Sequence, residues 1–315
     1  MTQALKAART SAAPDDGRWW RTGAATRNRE AELLARHRHD EIGVRIGQRG
    51  LDRVDITAAG VVDPAGAVRR DWLVGIAADI AERRRAGQQV AVVSSGAIAL
   101  GARRLGLAKG GRGTLEDAQA AAATGQIALS QVWAEVLGAE GLTAAQMLVT
   151  LDDLEHRRRY LNASATLDRL LEAGVIPVIN ENDSVATEEI RFGDNDRLAA
   201  RVAQAANADL VLLLSDVDGL YDRDPREEGA ALIPVVDAVT PEIMAMASGA
   251  SSSGLGSGGM ISKLQAAQIA TRAGIALAIL NGTHEAPIAH ALAAGTGTLF
   301  LPVRSDSARK AWLGG

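Results

Sequence analysis

From about residue 66 the chain alternates between two hydrophobic periods. In AVRRDWLVGIAADIAERRRAG, Val68, Trp72, Ile76 and Ile80 recur every four residues, the stripe of an amphipathic helix, and Gly87 suits its C-terminal stop. QQVAVVSS (88–95) is instead a β-branched run ending in small polar residues, which predicts a strand. The same alternation continues along the chain. Helices are predicted near 115–139, over LDDLEHRRRYLNASATLDRLLEAG with Gly174 as its stop, near 195–206 and over about 260–273. Strands are predicted over AAQMLVT (144–150), VIPVIN (175–180), ADLVLLLS (208–215) and IALAILN (275–281). Nearly continuous apolar strands alternating with helices indicate a parallel sheet covered on both faces. The Gly/Ser stretch SGASSSGLGSGG (248–259) reads as a loop, because regular elements continue on both sides of it. Residues 1–50 show no such pattern and read as a poorly ordered N-terminal extension.

Composition narrows the class. The chain has 315 residues, 47% of them apolar, enough for a large core. A formal charge of −4 argues against a nucleic-acid binder, which would carry a basic face. No apolar run reaches membrane-spanning length, and the N-terminus lacks a signal-peptide block. With no cysteine, disulfides, thiolate metal sites and Cys nucleophiles are excluded, and a reducing, cytoplasmic setting is the expectation. Only four of the 34 basic residues are lysine: Lys6, Lys109, Lys263 and Lys310. A chain that takes its ordinary surface charge from arginine makes a lysine inside a motif informative.

In parallel sheets ligands bind beyond the C-terminal ends of the strands. Polar clusters fall at those places: Ser94-Ser95-Gly96, Asn180 to Asp183, and Ser215-Asp216. The stretch VINENDSVATEEIRFGDNDRL (178–198) adds Asp194, Asn195 and Asp196, side chains that are costly to bury without partners. They either close a solvated turn or converge on a polar ligand. VVSSGAIALG (92–101), taken alone, reads first as an ordinary tight strand–helix turn, and its backbone N–H groups could equally form an anion pocket. GLGSGGMISK (254–263) contains GxGxxG, but no strand stands directly before it, so the dinucleotide reading fails; the Walker A element is also missing. What remains is a glycine loop entering a helix with Lys263 in its first turn, a misplaced charge unless an anion such as phosphate is present. In LLLSDVDGLYDRDP (212–225), Asp216 or Asp218 could meet a nucleotide or metal, while Asp218, Asp222 and Asp224 fit turn chemistry. The five histidines (37, 39, 156, 284 and 290) show no metal-ligand spacing, and no metal-ligating residue is assigned.

Together VVSSGAIALG, QMLVTLDDLEHRRRYLNASATLDRLL, GVIPVINENDSVATEEIRFGDNDRLAA, LLLSDVDGLYDRDP and SGLGSGGMISKLQAA resemble the amino acid kinase family, and within it the branch that phosphorylates glutamate. The resemblance runs from about residue 61 to the C-terminus. It implies an α/β fold, a three-layer αβα sandwich with a mostly parallel central sheet of about eight strands. It divides 51–315 into a glutamate-binding lobe (about 51–205) and an ATP-binding lobe (about 206–315). The implied activity is transfer of the ATP γ-phosphoryl group to the side-chain carboxylate of L-glutamate with Mg²⁺, the first step of proline synthesis. Ser95, Gly96, Asn180, Asp183 and Asn195 would hold the amino acid. Ser215, Asp216, Ser257, Gly258, Gly259, Met260 and Lys263 would line ATP. Lys263 would stabilise the transferring group and Asp196 would orient phosphate-binding lysines. A homo-oligomer and feedback by L-proline are further implications. The family's C-terminal PUA domain, carried by many bacterial members, is expected to be missing.

Beside the expected absence of that domain and an extension before residue 50 with no recognised family counterpart, the chain departs from the family in its first strand. Members begin with a strand carrying V-K-[IL]-G-[ST], whose lysine and glycine face the phosphates. The gap-free register places RVDITAAG there, with Asp55 at the lysine position and Thr57 at the glycine position; VRIGQ (44–48), with Arg45, requires an insertion. An Asp facing a polyphosphate is expected to repel it. Two competing readings follow: a binding protein on the same fold impaired in transfer, and a kinase for a related small acid such as acetylglutamate.

Overall fold

The computed structural model describes residues 51–303 except 59, 64, 186–193 and 250–256. The expected N-terminal extension and the alternative strand at 44–48 therefore lie outside the described residues, as does the middle of the 178–198 stretch. The gap-free register forms a strand: β1 is Arg53–Ala58. It pairs in parallel with β2 (Gln89–Ser94) on one side and β5 (Leu210–Ser215) on the other, so that Asp55 stands opposite Ala91 and Val211.

Eight strands form one sheet in the order β3-β4-β2-β1-β5-β7-β8-β6. β3 is Ala144–Val149, β4 Ile176–Glu181, β6 Val235–Val236, β7 Ala276–Asn281 and β8 Thr298–Phe300. β8 alone runs antiparallel to its neighbour β7 and pairs in parallel with β6. Alternation along the strands feeds two cores. Val54, Ile56, Val90, Val92, Leu210 and Leu212 point to one face, where they meet α1 (Arg70–Arg85), α2 (Ala97–Leu105), α3 (Leu115–Ala139) and α9 (Pro287–Ala294). Ala91, Val93, Val211, Leu213, Leu277 and Ile279 point to the other. There they meet α4 (Leu151–Glu155), α5 (Arg157–Glu172), α6 (Asp194–Ala205), α7 (Pro241–Gly249) and α8 (Ser257–Arg272). The result is a three-layer αβα sandwich, as the pattern predicts. Nine α-helices are present among the described residues.

The predicted helical stripe of α1 is buried at Trp72, Ile76 and Ile80, and Gly87 follows the helix in the left-handed region, φ 88°. α2 and α3 cross so closely that a Cβ on Gly101 would lie 1.7 Å from the carbonyl oxygen of Ala121, and one on Gly125 would lie 1.8 Å from that of Ala97. Only glycine permits that approach. One expectation needs correction. The single helix predicted over 151–174 breaks at His156 (φ −85°, ψ 112°) into α4 and α5. Thr150 and Asp153 close a capping box that starts a helix of its own, and Arg159 reaches back to Asp152 and Asp153 at 2.7 and 3.2 Å. The elements β6, β8, α7 and α9 lacked a sequence signal strong enough to predict them.

Strand order sets the location of a binding site. From β1 the chain builds β2, β4 and β3 to one side, then crosses to build β5 and β7 on the other. Crevices at the carboxyl ends of strands open at such a reversal.

Candidate active site

On the β2 side, Ser94 is fully buried. Its Oγ accepts the indole N–H of Trp133 in α3 at 2.8 Å. The Ser95 N–H reaches the carbonyl of Ala58 at 3.3 Å. Gly96 then turns the chain into α2 with φ 110°, a conformation that a side chain would strain, and its Cβ would lie 2.6 Å from Val62. At the head of α6, the Asn195 amide donates to the carbonyl of Ser94 at 3.5 Å. Two candidates from distant parts of the sequence, Ser95 and Asn195, are thereby held against one turn.

At the end of β4, Asn180 is buried and its Nδ2 donates to Oε1 of Gln126 in α3 at 2.8 Å. The chain then turns: Asn182 N–H bonds the carbonyl of Val149, and the Ser184 hydroxyl bonds Oδ1 of Asn182 at 2.7 Å. Asp183 faces a cavity of about 310 Å³ whose walls include Gln126, Ile127, Gln146, Leu148 and Glu181. No other candidate residue lines that cavity.

Asp196 and Lys263 join the two sides. The Lys263 ammonium donates to Oδ2 of Asp196 at 3.0 Å, linking α6 to α8, and the two side chains are only 13% and 8% exposed. Burial pushes the Asp196 carboxyl above its ordinary range, while the Lys263 charge and the hydrogen bonds from Lys263 and Ser262 pull it back. α8 starts at Ser257, which puts Lys263 in its second turn rather than its first. The ammonium is thus compensated by a carboxylate before any anion arrives. Ser257 and Gly258 open the same helix; Gly259 is exposed and Met260 packs half-buried on the core beneath.

On the β5 side, Ser215 is buried, its hydroxyl reaches Oδ1 of Asp216 at 3.3 Å, and its carbonyl accepts the Gly282 N–H. Asp216 is exposed. Asp218 does more than shape a turn. Its two oxygens accept Asn281 Nδ2 at 2.7 Å and the Tyr221 hydroxyl at 3.2 Å, tying the loop after β5 to the end of β7. Asp222 and Asp224 are turn residues, accepting the N–H groups of Ala231 and Arg226. Of the histidines, His284 and His290 stack at 3.7 Å. Among the described residues no group of three or more His, Cys, Asp or Glu could hold a metal ion.

The expectation for Asp55 is corrected. Its side chain is 1% exposed, on the face of β1 that packs under α6, and its Oδ2 has no hydrogen-bond partner among the described residues. Burial pushes its carboxyl up to about 8, with the Arg53 charge acting in the opposite direction. At neutral pH the group is mostly protonated, so the full negative charge expected to repel a polyphosphate is absent. The Thr57 hydroxyl, two residues on along the same face, is likewise buried without a partner.

Sequence reasoning missed Gln126, Trp133 and Asn281. Gln126 and Trp133 lie two helical turns apart on the core-facing stripe of α3. A glutamine on an apolar stripe was the available signal.

Residues 61–281 match the model of the amino acid kinase family. The chain is 72% identical over 262 residues to a glutamate 5-kinase of Sphingopyxis alaskensis, covering 83% of this chain and 70% of that protein. It is 69% identical to a glutamate 5-kinase of Novosphingobium aromaticivorans over the same shares of each chain. A glutamate 5-kinase of Zymomonas mobilis is 60% identical over 263 residues, 83% of this chain and 66% of its own.

Proposed function

The chain belongs to the amino acid kinase family, and from that premise we propose that it transfers the γ-phosphoryl group of ATP to the side-chain carboxylate of L-glutamate, forming L-glutamyl 5-phosphate for proline synthesis. The observation that supports this reading is the buried Lys263–Asp196 pair, which ties the head of α6 to α8.

Phosphoryl transfer asks little covalent chemistry of a protein; it asks for positioning and stabilisation of charge. In this reading Lys263 places its ammonium on the transferring group, and Asp196 holds that ammonium in one direction. Asp196 must be ionised to do so. Ser95, Gly96, Asn180, Asp183 and Asn195 hold the amino acid on the 51–205 side. Ser215, Asp216 and the start of α8 from Ser257 to Lys263 hold the nucleotide on the 206–315 side. A Mg²⁺ carried by the nucleotide would supply charge neutralisation at the phosphates. Feedback by L-proline, assembly into a homo-oligomer and a cytoplasmic location complete the proposal. Among the described residues no helix is long and apolar enough to cross a membrane.

Protein incubated with L-glutamate, Mg-ATP and hydroxylamine is expected to release ADP and form the hydroxamate, both dependent on glutamate. Calorimetric binding of glutamate with neither product would overturn the proposal in favour of a binding protein.

A further inference from the structure

α3 touches the substrate side twice from one stripe. Trp133 fixes the end of β2 through Ser94, and Gln126 fixes the end of β4 through Asn180. The close α2–α3 crossing at Gly101 and Gly125 locks the helix in place immediately beside Gln126. Gln126 is itself 9% exposed, and Ser130 one turn on receives its Nε2 at 3.4 Å. With that amide nitrogen engaged by Ser130, Oε1 is the atom turned to Asn180, and it can only accept. Asn180 must therefore present Nδ2 to α3, which puts its Oδ1 on the other branch of the amide, away from the helix.

We infer that Gln126 is a positioning residue that fixes the orientation of the Asn180 amide, so that Asn180 offers an acceptor oxygen to the α-ammonium of the amino acid substrate. Asp183, three residues on, is an acceptor as well, so the end of β4 and the turn after it present oxygens that suit a cation rather than a carboxylate. Substrate choice follows: an acid bearing an α-ammonium is preferred over the same diacid without it. A glutamine with its orientation lost would let Asn180 flip and turn an N–H donor toward the ammonium, replacing attraction by repulsion.

This inference rests on the proposed glutamate kinase activity, and its test separates the two. The full chain is assayed as wild type, Gln126→Leu and Gln126→Glu, with KM and kcat measured for L-glutamate. Glutarate, which lacks the amino group, serves as a competitor whose Ki needs no turnover. Gln126→Leu is expected to raise KM for glutamate about ten-fold, the worth of one hydrogen bond to a charged group. The glutarate Ki and kcat stay within about two-fold of wild type, since neither depends on that bond. Gln126→Glu keeps the acceptor for Asn180 and restores most of the discrimination. Equal losses for glutamate and glutarate in Gln126→Leu, or a Gln126→Glu variant as poor as Gln126→Leu, would overturn the inference and leave Gln126 a packing residue. A wild type that turns over no glutamate would overturn the functional reading and this inference with it.

Discussion

Two buried aspartates, one in the middle of β1 and one at the head of α6, have the same chemistry and opposite circumstances. Asp196 is 6% exposed and Asp55 1% exposed, and burial raises the carboxyl of each. Asp196 has a lysine ammonium at 3.0 Å and a hydrogen bond from Ser262 that favour its ionised form. Asp55 has an oxygen with no partner among the described residues, and burial pushes its carboxyl up to about 8. Desolvation alone makes a carboxyl inert; a partner supplied by another element makes it a charged tool. The rim of the sheet, where helices begin, can supply such partners. The middle of a central strand, enclosed by Ala91 and Val211, cannot.

Asp55→Asn should give the largest effect. The folded chain holds a proton up to about pH 8 that the unfolded chain releases above the ordinary Asp value of 3.8. Between those values unfolding releases a proton, so stability falls as pH rises. The asparagine variant should remove that slope and gain on the order of 4 kcal/mol at pH 7. Urea denaturation across pH 5 to 8 checks it, and an unchanged slope would show that Asp55 ionises normally.

Lys263→Met turns Asp196 into a second Asp55. With its cation gone the carboxyl should rise further, and kcat should drop about 10²–10³-fold, the usual cost of losing one preorganised charge-stabilising donor. Steady-state kinetics with saturating glutamate and Mg-ATP measures this; a loss confined to KM would argue that Lys263 only binds.

Ser262→Ala is the finest probe. It removes one hydrogen bond that favours ionised Asp196 and should cost about 1 kcal/mol. Activity falls at acid pH as Asp196 takes a proton and releases Lys263, and in this variant that acid limb should move to higher pH. The pH profile of kcat reads the shift, and a limb that stays in place would separate Asp196 from the rate.

Part of the candidate site was legible in the sequence. The positions of Ser95, Asn180, Asp196 and Ser215 at strand ends or helix starts follow from where apolar runs stop and polar residues begin. Lys263 stood out because this chain seldom uses lysine. Asp218 was harder: beside Gly219 it looks like a turn residue, and only the return of β7 brings Asn281 to it. The break at His156 was hidden because the apolar period runs through it, while a local capping box decides the backbone.

The sequence by itself determined the alternation of helices and strands, the parallel sheet and the edge along which polar groups gather, because each depends on spacing within one short segment. The tertiary structure alone decided that Asp55 is enclosed, that Asp196 meets Lys263, and that Asn180 meets Gln126 across 54 residues of chain. A residue's period is written in its near neighbours. Its solvent, its partner and therefore its charge are set by segments that meet it only when the chain has folded.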